Sequence, residues 1–237
     1  VYGAFDQITS HLARIRNRSR GRYNCHVVVR MPYGGGIKAL EHHSEAPEAY
    51  FAHTPGIKVV MPSTPYDAKG LLISAIRDPD PVIFFEPKKI YRAIREEVPD
   101  AEYTVPIGEA KIRKSGDDVT LITWGSMVRT CLEAAEQTKS GSVEVIDVRT
   151  ISPLDTGTII TSVKKTGRAV IVHEASKSFG AGAEISARIN ERALLSLEAP
   201  VMRVAGYDVP TPYPKLEDYY LPSVDRVRKA IEQVLGF

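Results

Sequence analysis

Apolar positions along the chain follow two spacings that succeed one another. Phe5, Ile8, Leu12 and Ile15 recur three and four apart, which predicts a helix over residues 4–17 with one apolar stripe. The run His26–Arg30 predicts a buried strand, and residues 31–44 a long loop containing Gly34, Gly35 and Gly36. A helix over 45–53, a strand at Ile57–Met61, a helix from Pro65 to Arg77 and a strand at Pro81–Glu86 follow; proline suits the first turn of that second helix. Residues 88–107 break the rhythm with charges, Pro99 and Pro106, and read as a surface connection. The alternation then restarts. Strands are predicted at Val119–Trp124, Val143–Val148, Ala169–His173 and Val201–Val204, with helices at Ser126–Thr138, Asp155–Lys164, Gly180–Ala193 and Ser223–Leu235. Nearly all-apolar strands alternating with amphipathic helices imply the α/β class, with parallel sheets covered on both faces. The expected organisation is a first domain over residues 1–92, a linker over 93–107 and a second domain over 108–237, with no repeat at a fixed period.

Composition narrows the class. The 237 residues hold 31 Lys+Arg against 29 Asp+Glu and are 43% hydrophobic, so the chain can build cores and is not a disordered one. No apolar run approaches the roughly 18 residues of a membrane span, and no secretory leader is visible. Cys25 and Cys131 lack metal or redox spacing and are expected to be reduced thiols of a cytoplasmic protein. Arg14, Arg16, Arg18, Arg20 and Arg22 scatter around a helix, and no aromatic ladder accompanies them. They read as a solvated or inter-subunit face, with Arg16 and Arg18 partly covered in an assembly, and not as a nucleic-acid site.

Candidate chemistry lies at strand ends. Gly34-Gly35-Gly36 has neither a Walker lysine nor a helix-opening GxGxxG arrangement. Phe179-Gly180-Ala181-Gly182 opens a helix after a strand, which admits either an anion at that N-terminus or tight strand-to-helix packing. The long loop ends in Glu41-His42-His43-Ser44-Glu45, at the carboxyl end of a strand, where open α/β sheets place ligands. The adjacent histidines are expected to point apart. They lack the i, i+4 spacing of a metal pair, and one of them suits acid–base or hydrogen-bonding work, or else a structural role. His173-Glu174 reads as a structural cap. Ala75-Ile76-Arg77-Asp78-Pro79-Asp80-Pro81 brings two carboxylates and free carbonyls off a helix end, suited to an alkali or alkaline-earth ion or simply an acidic turn.

Taken in order, several segments resemble a known family: Ala4-Phe5-Asp6-Gln7-Ile8, His43-Ser44-x-x-Pro47-Glu48-Ala49, Thr54-Pro55-Gly56-Ile57-Lys58-Val59-Val60 and Ile83-Phe84-Phe85-Glu86-Pro87-Lys88. Asp67-Ala68-Lys69-Gly70-Leu71-Leu72, Val145-Ile146-Asp147-Val148-Arg149-Thr150, Glu198-Ala199-Pro200 and Gly206-Tyr207-Asp208-Val209-Pro210 belong to the same set. The chain is similar to β subunits of the thiamine-diphosphate-dependent decarboxylase component of 2-oxo acid dehydrogenase complexes, nearest the branched-chain type, with the pyruvate type as alternative and a non-catalytic docking module as a third reading.

The resemblance implies the later part of a pyrimidine-binding α/β domain followed by a transketolase-type C-terminal domain. It implies a heterotetramer with two α subunits and a second β subunit, a lipoyl-bearing acyltransferase partner and a small 2-oxo acid substrate. It also implies that His43 faces substrate and lipoyl group as proton donor and hydrogen-bond partner. A potassium site would fall on Ala75, Ile76, Asp78 and Asp80 with a carbonyl near Val27, bracing the long loop. Glu45 stands where the family usually has Gln, which would favour the imidazolium of His43 if it faces the site. Asp80 stands where Asn is frequent. The family's pyrimidine-activating glutamate and its stacking aromatic match no residue from Val1 onward. The magnesium and diphosphate motif belongs to the α subunit, and Gly116-Asp117-Asp118 is not it. The first domain is therefore expected to be incomplete as it opens at Val1, and the isolated chain inactive.

Overall fold

The computed structural model describes residues 1–237. Its first half contains β1 (Val28–Tyr33), β2 (Lys58–Val60) and β3 (Val82–Pro87), with helices α1 (Ile15–Arg18), α2 (Glu41–Ser44), α3 (Glu48–Ala52) and α4 (Pro65–Arg77). The second half contains β4 (Lys111–Lys114), β5 (Val119–Thr123), β6 (Val143–Asp147), β7 (Thr150–Ser152), β8 (Ala169–Ser176) and β9 (Met202–Gly206). Its helices are α5 (Met127–Gln137), α6 (Thr156–Thr166), α7 (Ala181–Ala193), α8 (Glu217–Tyr220) and α9 (Val224–Leu235). These form two α/β units with mixed, mostly parallel sheets, ordered β1-β3-β2-β7 and β4-β6-β5-β8-β9. The antiparallel members are β7, which lies against β2 with Val59 opposite Ser152, and β4, which lies against β6 with Ile112 opposite Ile146.

Local chemistry explains the regular helices. The Thr64 hydroxyl accepts from the Asp67 amide at 3.1 Å and Pro65 fills the first turn, so α4 begins where the sequence predicts and buries Leu71 and Ala75. Ser223 caps α9 in the same way, and Val227, Ala230, Ile231 and Val234 form one buried stripe.

Other segments depart from expectation. Residues 2–18 are helical, but the winding passes through 3-10 turns at Tyr2–Ala4 and Leu12–Arg14 and a π turn at Gln7–His11. A π turn aligns residues five apart, and Ile8 and Ala13 are the two buried positions of this stretch. The expected buried strand at His26–Arg30 is instead a half-exposed edge strand shifted to Val28–Tyr33, because β1 pairs only with β3. Pro32, which lacks an amide donor, is tolerated there. The long loop is shorter than expected, since β1 takes its first residues and α2 its last four. β4 and β7 were not predicted: Lys111–Lys114 carries three charges in four residues, and β7 is three residues long. The connection after β3 opens with a 3-10 turn at Lys88–Ile90 and then lies along α4. Tyr103 stacks on Tyr66 with ring centroids 4.4 Å apart and donates its hydroxyl to the Tyr66 carbonyl at 2.8 Å.

The halves share a core. Val59, Met61 and Phe85 of the first unit pack in one apolar cluster with Ile122, Trp124, Ile159 and Ile171 of the second. A buried ionic network lies beside it. Asp67 of α4 receives both the Arg113 guanidinium and Arg149 Nη1, the latter at 3.1 Å. Arg113 also reaches Asp147 at 2.7 Å, and Ser63 donates to Asp147 at 2.5 Å. No helix is long and apolar enough to cross a membrane.

Candidate active site

The segment between β1 and α3 carries the most chemistry. It leaves the carboxyl end of β1 through Gly34, Gly35 and Gly36 and closes on α2. Ser44 donates to the Ala39 carbonyl at 3.3 Å, and the Lys88 ammonium donates to the His43 carbonyl, fixing the turn from both ends. Burial lowers the Lys88 pKa, an effect that Glu217 and Glu174 oppose.

His42 and His43 do not point apart as expected. Their ring centroids are 4.3 Å apart with a 37° tilt. Neighbouring residues on a helical turn are separated by about 100°, not by the half-turn of a strand, so the rings can fold together. Both are exposed and line one cavity of about 600 Å³ with Tyr2, Ile8, Val29, Met31, Glu45 and Lys88. Glu45 is engaged by the Tyr2 hydroxyl at 2.5 Å, so its expected partnership with His43 gives way to a bond across the cavity wall. Burial, with the Glu45 contact second, raises the Tyr2 pKa.

Behind the loop lie two acids, Glu174, expected only as a cap, and Glu217. Glu174 accepts from the Gly35 amide at 3.0 Å and from the Ser126 hydroxyl, and burial raises its pKa. Glu217 accepts from the Lys38 amide at 2.9 Å. Glu174 is thus no strand cap. His173 is not one either: it stacks flat on Trp124, ring centroids 5.3 Å apart, and fills the space under the start of α7. A Cβ on Gly182 would lie 2.6 Å from its Nε2, so those glycines answer to tight packing, the alternative to an anion site.

Trp124 Nε1 donates to Glu48 at 3.3 Å. Burial pushes the Glu48 carboxyl up to about 8 from 4.5 and the His173 imidazole down to about 4 from 6.5. A raised acid keeps its proton in the folded chain, so its stabilisation is full below pH 4.5 and is lost as pH rises through about 8. The His173 contribution runs the other way and is lost as pH falls through about 4, so above pH 6.5 Glu48 acts without it. Glu48→Gln keeps the neutral shape at every pH. Thermal melts at pH 6.5 and 8 are therefore expected to show a smaller drop for this variant than for the parent chain; equal drops would refute a protonated Glu48.

The acidic turn holds its own cations. Both Asp78 oxygens receive the Lys58 ammonium, at 2.7 and 2.6 Å, and Asp80 receives Arg16 at 2.9 Å and Lys58 at 3.7 Å. The Val27 carbonyl accepts from the Val82 amide at 2.9 Å and the Ala75 carbonyl from the Asp78 amide at 3.3 Å. Val27, Ala75, Ile76, Asp78 and Asp80 therefore do not fit a potassium ion held through these carboxylates, and no group of three or more His, Cys, Asp or Glu side chains is placed to hold a metal.

Comparison with known proteins follows the same division of the chain. The transketolase pyrimidine-binding domain profile matches residues 1–93, and the transketolase C-terminal domain profile matches residues 108–227. The pyruvate dehydrogenase E1 component subunit beta of Acholeplasma laidlawii is 50% identical over 99% of this chain and 72% of its own length. The protein of the same description from Bacillus subtilis is 51% identical over 100% of this chain and 74% of its own. The chain belongs to the E1 β subunits of the 2-oxo acid dehydrogenases. Another member, the mitochondrial 2-oxoisovalerate dehydrogenase subunit beta of Dictyostelium discoideum, is 52% identical over 94% of this chain and 61% of its own length. Among solved structures, a split-gene transketolase described as an inactive beta4 tetramer superposes with a TM-score of 0.74 at 22% identity, covering 98% of this chain and 74% of its own; it shows the shared fold.

Thiamine diphosphate is the cofactor of this E1 family. The one carboxylate in the wall of the His43 cavity is Glu45, held by Tyr2, so the cavity offers no free acid to pair with an aminopyrimidine ring. The cavity residues of this E1 β chain offer imidazole, ammonium and apolar groups. As site residues, Lys88, Glu174 and Glu217 were missed from the sequence. The signal available for Lys88 was its place just past the end of β3, beside the loop that leaves β1.

Proposed function

We propose that this chain works with an α subunit and a second β subunit as a branched-chain 2-oxo acid dehydrogenase component, decarboxylating 2-oxo acids and passing the acyl group to a lipoyl group of an acyltransferase. The observation that carries this reading is the match of 99% and 94% of this chain to E1 β subunits at 50 and 52% identity, with His43 lining a cavity. Bound thiamine diphosphate supplies the carbanion and the electron sink, with magnesium held on the α subunit. His43 would give its proton to the lipoyl sulfur and a hydrogen bond to the acyl oxygen, roles open to an imidazole that lines the cavity. Ile8, Val29 and Met31 line the cavity, and a volume of about 600 Å³ leaves room for a branched chain. The pyruvate-type relatives at 50 and 51% identity support a second reading, in which the preferred acid is pyruvate. Potassium is left out, because Lys58 and Arg16 already meet Asp78 and Asp80.

The test is an assay of the E1 β chain assembled with its α partner, comparing 3-methyl-2-oxobutanoate with pyruvate. A higher kcat/KM for the branched acid is expected. Preference for pyruvate would replace the first reading by the second, and turnover of neither in a formed, cofactor-loaded assembly would sink both.

A further inference from the structure

The glycine triplet matches no nucleotide motif, yet it sits against two buried acids from the second half of the chain. We infer that Glu174 and Glu217 are positioning residues for His43, holding its loop through backbone amides. Glu174 is 5% and Glu217 1% exposed. The Gly35 amide donates to Glu174 and the Lys38 amide to Glu217, so the two bonds fix the loop three residues apart, just before α2. Lys38 holds a left-handed backbone, φ 59°, which a lysine adopts only when its surroundings impose it. A Cβ on Gly34 would lie 2.8 Å from Glu174 Oε2, and one on Gly35 3.1 Å from Glu217 Oε1. The bare backbone is what lets the loop lie directly on the carboxylates. Beyond Lys38 the chain turns through Ala39, whose carbonyl receives Ser44, and so delivers His43. The anchor is one-sided: Ile37, Lys38 and Leu40 are exposed, so losing the amide bonds leaves little apolar packing to hold this stretch.

The consequence is a division of labour between the halves. The first half carries the imidazole, while the second sets where it stands. The role in catalysis rests on the acyl-transfer reading of His43; the role in ordering the loop does not.

Three variants of the β chain, each assembled with α, separate acceptor from charge. Glu217→Gln keeps an oxygen for the Lys38 amide and is expected to remain within about twofold of the parent rate of lipoyl acylation. Glu217→Ala removes the acceptor. It is expected to slow acylation about tenfold, with KM for the 2-oxo acid little changed, and to speed hydrogen exchange in residues 34–45 by a similar factor while the β5 and β8 amides stay protected. Glu217→Asp, which keeps the charge and shortens the reach, is expected to show the same local loosening in smaller measure and serves where the alanine variant does not assemble. Parent-like exchange in residues 34–45 for both Ala and Asp would overturn the inference, as would a Gln variant as impaired as Ala. If the parent assembly fails to acylate lipoyl, the catalytic reading fails while the exchange data still decide the positioning role.

Discussion

Replacing His43 by alanine is expected to reduce acylation of the lipoyl group by roughly 100-fold, the lower range for loss of a positioned acid–base group. Assembly with an α subunit, as proposed, should be unaffected. The side chain is exposed at the cavity rim, and the bonds that shape its turn run through the His43 carbonyl and through Ser44, not through the imidazole. Two assays on the assembled complex divide the reaction: decarboxylation read with an artificial electron acceptor, and acyl transfer read with a lipoyl domain. The first should suffer less than the second, because the electron sink belongs to the cofactor. His42 provides the internal comparison. Its ring packs on that of His43 and lines the same cavity, so His42→Ala should shift the rate by less than tenfold if His43 carries the proton. Undiminished acyl transfer in His43→Ala would remove this residue from the mechanism.

The second large effect is on stability. Asp67→Ala is expected to destabilise the chain by about 3–5 kcal/mol, the usual cost of removing one partner from a buried ion pair. Asp67 is 1% exposed and is shared by Arg113 and Arg149, so its loss leaves two guanidinium groups short of a counter-charge. Arg113 retains Asp147, while Arg149 keeps only the Glu109 carbonyl, at 3.0 Å from its Nε. Chemical denaturation of the assembled parent and variant measures the difference. A change below about 0.5 kcal/mol, typical of a surface site, would mean that the network adds nothing to the joining of the halves.

Much of the architecture was readable before the structure, for local reasons. α4 and α9 have capping hydroxyls, and β3, β5 and β6 are short, mostly apolar runs, so short-range chemistry marks them. What escaped depends on distant partners. β4 is a strand because the charged run Lys111–Lys114 finds β6 beside it, and β7 because β2 offers an edge. His43 could be singled out from its residue type and its place after a strand. Its supports could not, because Glu174 lies 139 residues beyond Gly35 and Glu217 lies 179 beyond Lys38. Asp78 and Asp80 are a second case of distant partners. Their spacing suggests a cation, and the cations found there are Lys58 and Arg16, which local spacing could not supply.

The strand β7 ties the molecule together topologically. Three residues from beyond the connecting segment complete the edge of the first sheet, and Met61 donates its amide to the Arg149 carbonyl at 2.8 Å just past that pairing. Severing the chain between residues 93 and 107 would therefore not yield two self-sufficient modules: the first fragment would expose a bare β2 edge and the second a dangling strand. Heat or denaturant should dismantle both halves in one cooperative step, and evolution could not exchange either half for a foreign one without also recreating that edge.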